Sequence, residues 1–139
     1  MTLEDYNKTP FKYDVDIHWG EMDSFGHLNN VHFFRYMETA RIDYLEQTDF
    51  FKGDWKVGKG LGPILLKIEC TYLSPVHFPD TLTISCSTTK IGNTSFHMEH
   101  GIYSQQQQKL VAEGKSIIVL FDYDKQSKTP IPDHLRKKL

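Results

Sequence analysis

At 139 residues, 39% apolar and 13% aromatic, the chain has the size of one domain and enough apolar surface to close a single core. The formal net charge is -2 with both signs interspersed, and no basic run exceeds Arg136-Lys137-Lys138, so nothing electrostatic points to nucleic acid. The longest apolar run, Ile117 to Phe121, falls far short of the roughly 18–20 residues that a membrane span needs.

The opening stretch "MTLEDYNKTP" is polar and acidic with no hydrophobic segment behind it, so no signal peptide is expected. Cys70 and Cys86 lack a CxxC spacing and read as reduced, buried thiols of a cytoplasmic protein. "FKYDVDIH" alternates strictly, with Phe11, Tyr13, Val15 and Ile17 on one face and Lys12, Asp14, Asp16 and His18 on the other. It predicts a half-buried strand.

"GEMDSFGH" breaks that period, and from Asn30 a helical one begins. Phe33, Met37, Ala40 and Tyr44 form its stripe, widened by Val31, Phe34, Tyr36, Ile42 and Leu45. Asn29 or Asn30 is the expected cap, and the helix should end between Thr48 and Phe51. "GDWKVGKGLGP" follows as a glycine-rich loop without phosphate-loop spacing. Four strands are then expected over Ile64–Tyr72, Thr81–Lys90, Ser95–Ser104 and Leu110–Tyr123. Pro75 and Pro79, Gly92-Asn93 and "SQQQQK" divide them. The last strand is apolar on both faces, as though covered on both sides. Asp133 is the expected cap of a short C-terminal helix. The order describes an α+β domain over residues 1–139: one long helix and a five-stranded antiparallel sheet whose second face is left wet or covered by another subunit.

The turn ahead of the helix gathers Asp23, Gly26, His27, Asn29 and Asn30. A carboxylate facing the unpaired N–H groups of a helix start is what hydrolysis of an activated acyl group requires. The carboxylate attacks or activates water, and the N–H groups hold the tetrahedral oxygen. Gly26 would let the backbone approach a substrate closely. The plain alternative is that the Asp and both Asn are capping and turn residues. Asp23, His27 and His32 match no firm zinc spacing, and no metal is expected. His32 reads as merely exposed, and no GxSxG nucleophile turn occurs. Glu38 lies three residues before Arg41, the spacing of an ion pair, or it could line the site from the helix wall.

The segment "WGEMDSFGHLNNVHFFRYMETAR", with its D-x-x-G-H-x-N-N turn, resembles the 4-hydroxybenzoyl-CoA thioesterase-like branch of the hotdog-fold acyl-CoA thioesterases. "YLSPVHFPDTLTI", "GNTSFHMEHGIYS" and the C-terminal stretch from Val111 extend the likeness in order along nearly the whole chain. The resemblance implies a hotdog, a long helix wrapped by a curved antiparallel sheet, paired into a dimer or a dimer-of-dimers tetramer with interface active sites. It implies a cytoplasmic enzyme hydrolysing an acyl-CoA or acyl-carrier-protein thioester without cofactor. Asp23 matches the family's catalytic carboxylate and the Asn30 N–H its oxyanion donor. His27 and Asn29 belong to the signature turn, and Glu38 matches a recurrent acid of the helix. One departure is the turn before the fourth strand, Gly92-Asn93-Thr94, which lacks the basic cluster some members use to clamp CoA phosphates. Lys59, Lys67 and Lys90 are the candidate substitutes. A hotdog hydratase, using Asp23 and His27 as a carboxylate–imidazole pair, and a non-catalytic acyl-ligand binder are the alternatives. Phe33, Phe34, Tyr36 and the loop around Trp55 are candidates to shape an acyl pocket.

Overall fold

A computed structural model describes residues 1–48, 50 and 58–139. In chain order these form α1 (Leu3–Lys8), β1 (Lys12–Asp16), a 3-10 turn (Trp19–Glu21), α2 (Asn30–Gln47), β2 (Leu61–Tyr72), β3 (Thr81–Ile91), β4 (Ser95–Ser104), β5 (Lys109–Asp122), β6 (Ser127–Lys128) and α3 (Asp133–Arg136). The main sheet runs β1-β3-β4-β5-β2, antiparallel at every joint, and the two-residue β6 pairs with the end of β5. This is the expected strand–helix–four-strand hotdog. Trp55 and the rest of the first part of the glycine-rich loop, 53–57, lie outside the described residues.

The core follows from period-two alternation on the sheet meeting period-3.6 on the helix. Leu82, Ile84 and Cys86 of β3, Phe96, Met98, His100 and Ile102 of β4, and Ala112, Ser116, Ile118 and Leu120 of β5 are buried on one face. Phe33, Tyr36, Met37, Ala40, Arg41 and Leu45 of α2 are buried as well. Gly114 lies directly under Met37, where a Cβ would run into the thioether sulfur. Removing the side chain there lets helix and sheet approach closely.

Several expectations need correction. The helix is less embraced than its wide stripe suggests, since Val31 is 54% exposed. Asp133 is the first residue of α3, and Pro132 occupies the cap position without a side-chain bond. Cys70 is only half-buried. The opening residues form a helix, capped by a reciprocal pair between Thr2 and Asp5. This α1 covers part of the sheet's outer face: Tyr6 stacks on Tyr103 at 5.3 Å, and the Met1 ammonium meets Glu113 at 2.6 Å. Cover on both faces of β5 is partial, because Val119 is buried while Lys115 is exposed. Among the described residues no helix is long and apolar enough to cross a membrane.

Candidate active site

The segment between β1 and α2 folds back on itself. The Asp23 N–H donates to the His27 carbonyl at 2.7 Å and the Gly26 N–H to the Asp23 carbonyl at 3.0 Å, while Met22 and Leu28 form an antiparallel bridge. Gly26 holds φ +75, the left-handed region that a side chain disfavours. The Asp23 carboxylate is tied by one oxygen only: Oδ1 accepts the Phe25 N–H at 2.8 Å and the His27 N–H at 3.2 Å. Among the described residues Oδ2 takes no partner. The turn-residue reading and the chemical reading therefore use different oxygens of the same side chain.

Asn29 is the cap of α2, its side-chain oxygen accepting the Val31 N–H at 3.3 Å. Its backbone carbonyl takes the His32 N–H at 3.1 Å. The Asn30 N–H, first in the helix, donates to nothing among the described residues. Asp23, His27, Asn29 and Asn30 line one cleft of about 340 Å³, walled by Phe33 of α2 and by Tyr72 to Val76 at the end of β2. Gly26 opens with Asp23 onto an adjoining cleft, beside Trp19 and Phe78. Asp23 thus stands at the border of two clefts and lines the first together with Asn30, and among the described residues neither its Oδ2 nor the Asn30 N–H takes a partner.

Neighbouring groups lock this geometry, and sequence reading passed over most of them. Tyr72 donates its hydroxyl to the Asn30 carbonyl at 3.0 Å and sets its ring edge-on to Phe33. Burial, then the nearby Cys70, pushes that phenol up to about 12, so it stays a donor. Val76 accepts the Leu28 N–H at 2.7 Å. His77 Nδ1 lies 3.2 Å from the Gly26 carbonyl, which can only accept, so that nitrogen carries the proton. The His27 ring packs edge-on against His77 at 4.9 Å. It is the His27 backbone N–H that meets Asp23, so the carboxylate–imidazole pair required by the hydratase reading is not formed.

Glu21 is the other missed residue. Its carboxylate accepts the His18 N–H at 2.6 Å and reaches His32 Nδ1 at 3.2 Å. His32 is therefore a partner of the turn, which corrects its reading as merely exposed. The Tyr36 hydroxyl approaches the same carboxylate, close enough to couple to its charge but outside hydrogen-bond alignment. Burial pushes the Glu21 carboxyl up, yet Tyr36, the His18 N–H and the His32 and His18 rings together hold it below its ordinary value. A sequence signal existed: the acid lies eleven residues before an imidazole at the helix start. Only the chain reversal brings the two together.

Other candidates lie elsewhere. Glu38 faces away from both clefts and pairs with Arg35 at 3.6 Å rather than with Arg41. Arg41 is instead buried, with Nη1 unpartnered among the described residues. Lys67 pairs with Glu69 at 3.5 Å, and Lys59 and Lys90 are exposed. None of the three lysines lines the clefts at Asp23. Phe33 lines the first cleft, whereas Phe34 lines another on the far side of the helix and Tyr36 is buried.

Comparison with known proteins shows the family. The family described as Thioesterase-like superfamily matches residues 17–139. The long-chain acyl-CoA thioesterase FadM of Escherichia coli is 26% identical over 118 residues, 85% of this chain and 88% of that protein. A Thermus thermophilus thioesterase, solved with coenzyme A and zinc, superposes with a TM-score of 0.78 at 27% identity, covering 94% of this chain and 97% of that one. A Pseudomonas aeruginosa protein gives 0.81 at 30% identity, covering 94% and 98%. With a match that begins just after β1 and takes in the Asp23 turn, the long helix and strands β2 to β6, the chain belongs to the Thioesterase-like superfamily.

Proposed function

We propose that the protein hydrolyses acyl-CoA thioesters to free acid and CoA, with Asp23 as the reacting carboxylate and the Asn30 N–H as oxyanion donor. The supporting observation is that one cleft is lined both by Asp23, whose Oδ2 takes no partner among the described residues, and by Asn30, whose likewise unpartnered N–H stands at the positive end of an 18-residue helix. As general base, Asp23 Oδ2 takes a proton from water as the water oxygen bonds to the carbonyl carbon. The carbonyl oxygen becomes an oxyanion and receives the Asn30 N–H. Collapse breaks the carbon–sulfur bond, and the departing CoA thiolate takes the proton back. As nucleophile, the same oxygen forms an acyl anhydride with loss of thiolate, and water then cleaves it. Both routes need one ionised carboxylate at this place. The FadM likeness and the CoA-bound Thermus relative support a CoA thioester as substrate.

The working unit in this reading is a dimer joined through β2. That strand is a twelve-residue sheet edge bearing exposed Ile64, Leu65 and Leu66, and such an edge needs a cover. Thiol release from a panel running from acetyl- through palmitoyl- to hydroxybenzoyl-CoA, with Asp23→Asn alongside, tests the proposal. The variant should lose on the order of 10²–10⁴ in turnover. Wild-type turnover in Asp23→Asn would end the assignment, and binding without product on any substrate would favour the non-catalytic reading.

A further inference from the structure

Glu21 lies outside both clefts at Asp23, yet it ties together the chain leaving β1, the Asp23 turn and the start of α2. Its carboxylate takes the His18 N–H, where β1 has just ended, at 2.6 Å. It also takes His32, in the first turn of α2, at 3.2 Å. Its backbone carbonyl accepts the N–H of Asn29, the helix cap, at 3.0 Å. The side chain is 18% exposed, and its His32 partner is 29% exposed. Asp23 follows two residues later, and Asn30 adjoins the cap that Glu21 holds. From these contacts we propose that Glu21 is a positioning residue for thioester hydrolysis, clasping the Asp23 turn to the start of α2 so that carboxylate and oxyanion donor keep a fixed separation.

The inference rests on the proposed hydrolysis and deepens it. Two reacting groups on different segments gain their advantage only at the correct spacing, and a displacement of about 1 Å can lower turnover on the order of 10²-fold. Glu21 lines neither cleft, so its loss should move kcat and leave KM alone. Glu21→Ala is expected to lower kcat by roughly 10- to 100-fold with little change in KM. Glu21→Gln keeps an oxygen for the His18 N–H and an amide for His32, and should return kcat to within about fivefold of wild type. His32→Ala, which opens only the helix side of the clasp, should fall between them.

Steady-state kinetics of the three variants, each normalised to folded protein by its melting transition, make the test, with Glu21→Ala repeated in the Asp23→Asn background. If Glu21 acts through Asp23, the second loss adds less than about twofold to the first. Full additivity, a change confined to KM, or unchanged kcat in both Glu21→Ala and His32→Ala would overturn the proposal. Should Glu21→Ala fail to fold, the His32→Ala and Glu21→Gln pair decides by the same criteria. Asp23→Asn distinguishes the two levels. If it retains turnover, the hydrolytic assignment has failed; if it abolishes turnover while the Glu21 and His32 variants stay at wild-type kcat, only the clasp has failed.

Discussion

His100 carries a consequence for stability that its neighbours make specific. Its ring lies fully buried between Cys86 Sγ at 3.2 Å and Ser116 Oγ at 2.9 Å. Burial, reinforced by the Arg41 charge, pushes the imidazole down to about 3. The unfolded chain would protonate near 6.5. Between those values the unfolded state binds one more proton than the folded one, so stability falls as pH drops from about 6.5 toward 3, by at most about 1.4 kcal/mol per pH unit. Glu21, held below its ordinary value, adds its own acid loss only at lower pH. Melting curves between pH 7 and 5 should therefore show a downward slope in the native protein that His100→Gln largely removes. An equal slope in both would refute the argument. Cys86, pushed up to about 12 chiefly by burial, stays a thiol throughout.

The elements meet at a contact that one atom can disturb. Gly114 of β5 lies beneath Met37 of α2, and a Cβ at this position would stand 3.3 Å from the Glu69 carbonyl of β2. Helix and two strands all converge there. Gly114→Ala forces the thioether out of a fully buried position, and overpacking of this kind costs about 1–3 kcal/mol. Urea unfolding should show a lower midpoint at unchanged slope; an unaltered midpoint would mean that α2 has room to move. The helix itself was legible in the sequence because its stripe repeats at 3.6 residues and Asn29 supplies a cap. Its burial was not fully legible, since Val31 continues the stripe yet faces solvent while charged Arg41 lies inside. Periodicity reports which residues share a face and says nothing of what stands opposite.

At the scale of the whole molecule, the proposed assembly turns on the β2 edge. The proposed dimer buries Ile64, Leu65 and Leu66, of which Leu66 is the most exposed at 60%. Leu66→Lys changes little within one chain but sets a charge on the edge, the device by which sheets resist pairing. Sedimentation should show the native mass halved and turnover reduced at least about tenfold, as expected if each site needs both subunits. A native protein that is monomeric and active would remove the dimer from the proposal.

The strands, the long helix and the D-x-x-G-H-x-N-N turn could be read from residue order, because alternation, helical period and cap chemistry are local properties that neighbours in sequence impose on one another. The family likeness was carried by the same local pattern. Which residues surround Asp23 was settled by folding alone. Tyr72, Val76 and His77 reach the turn from the end of β2 and the loop after it, more than forty positions further along the chain. Glu38, by contrast, sits on the right helix and two turns away from the cleft. Contacts of that range depend on how helix and sheet pack in three dimensions, and no spacing within one stretch of sequence encodes them.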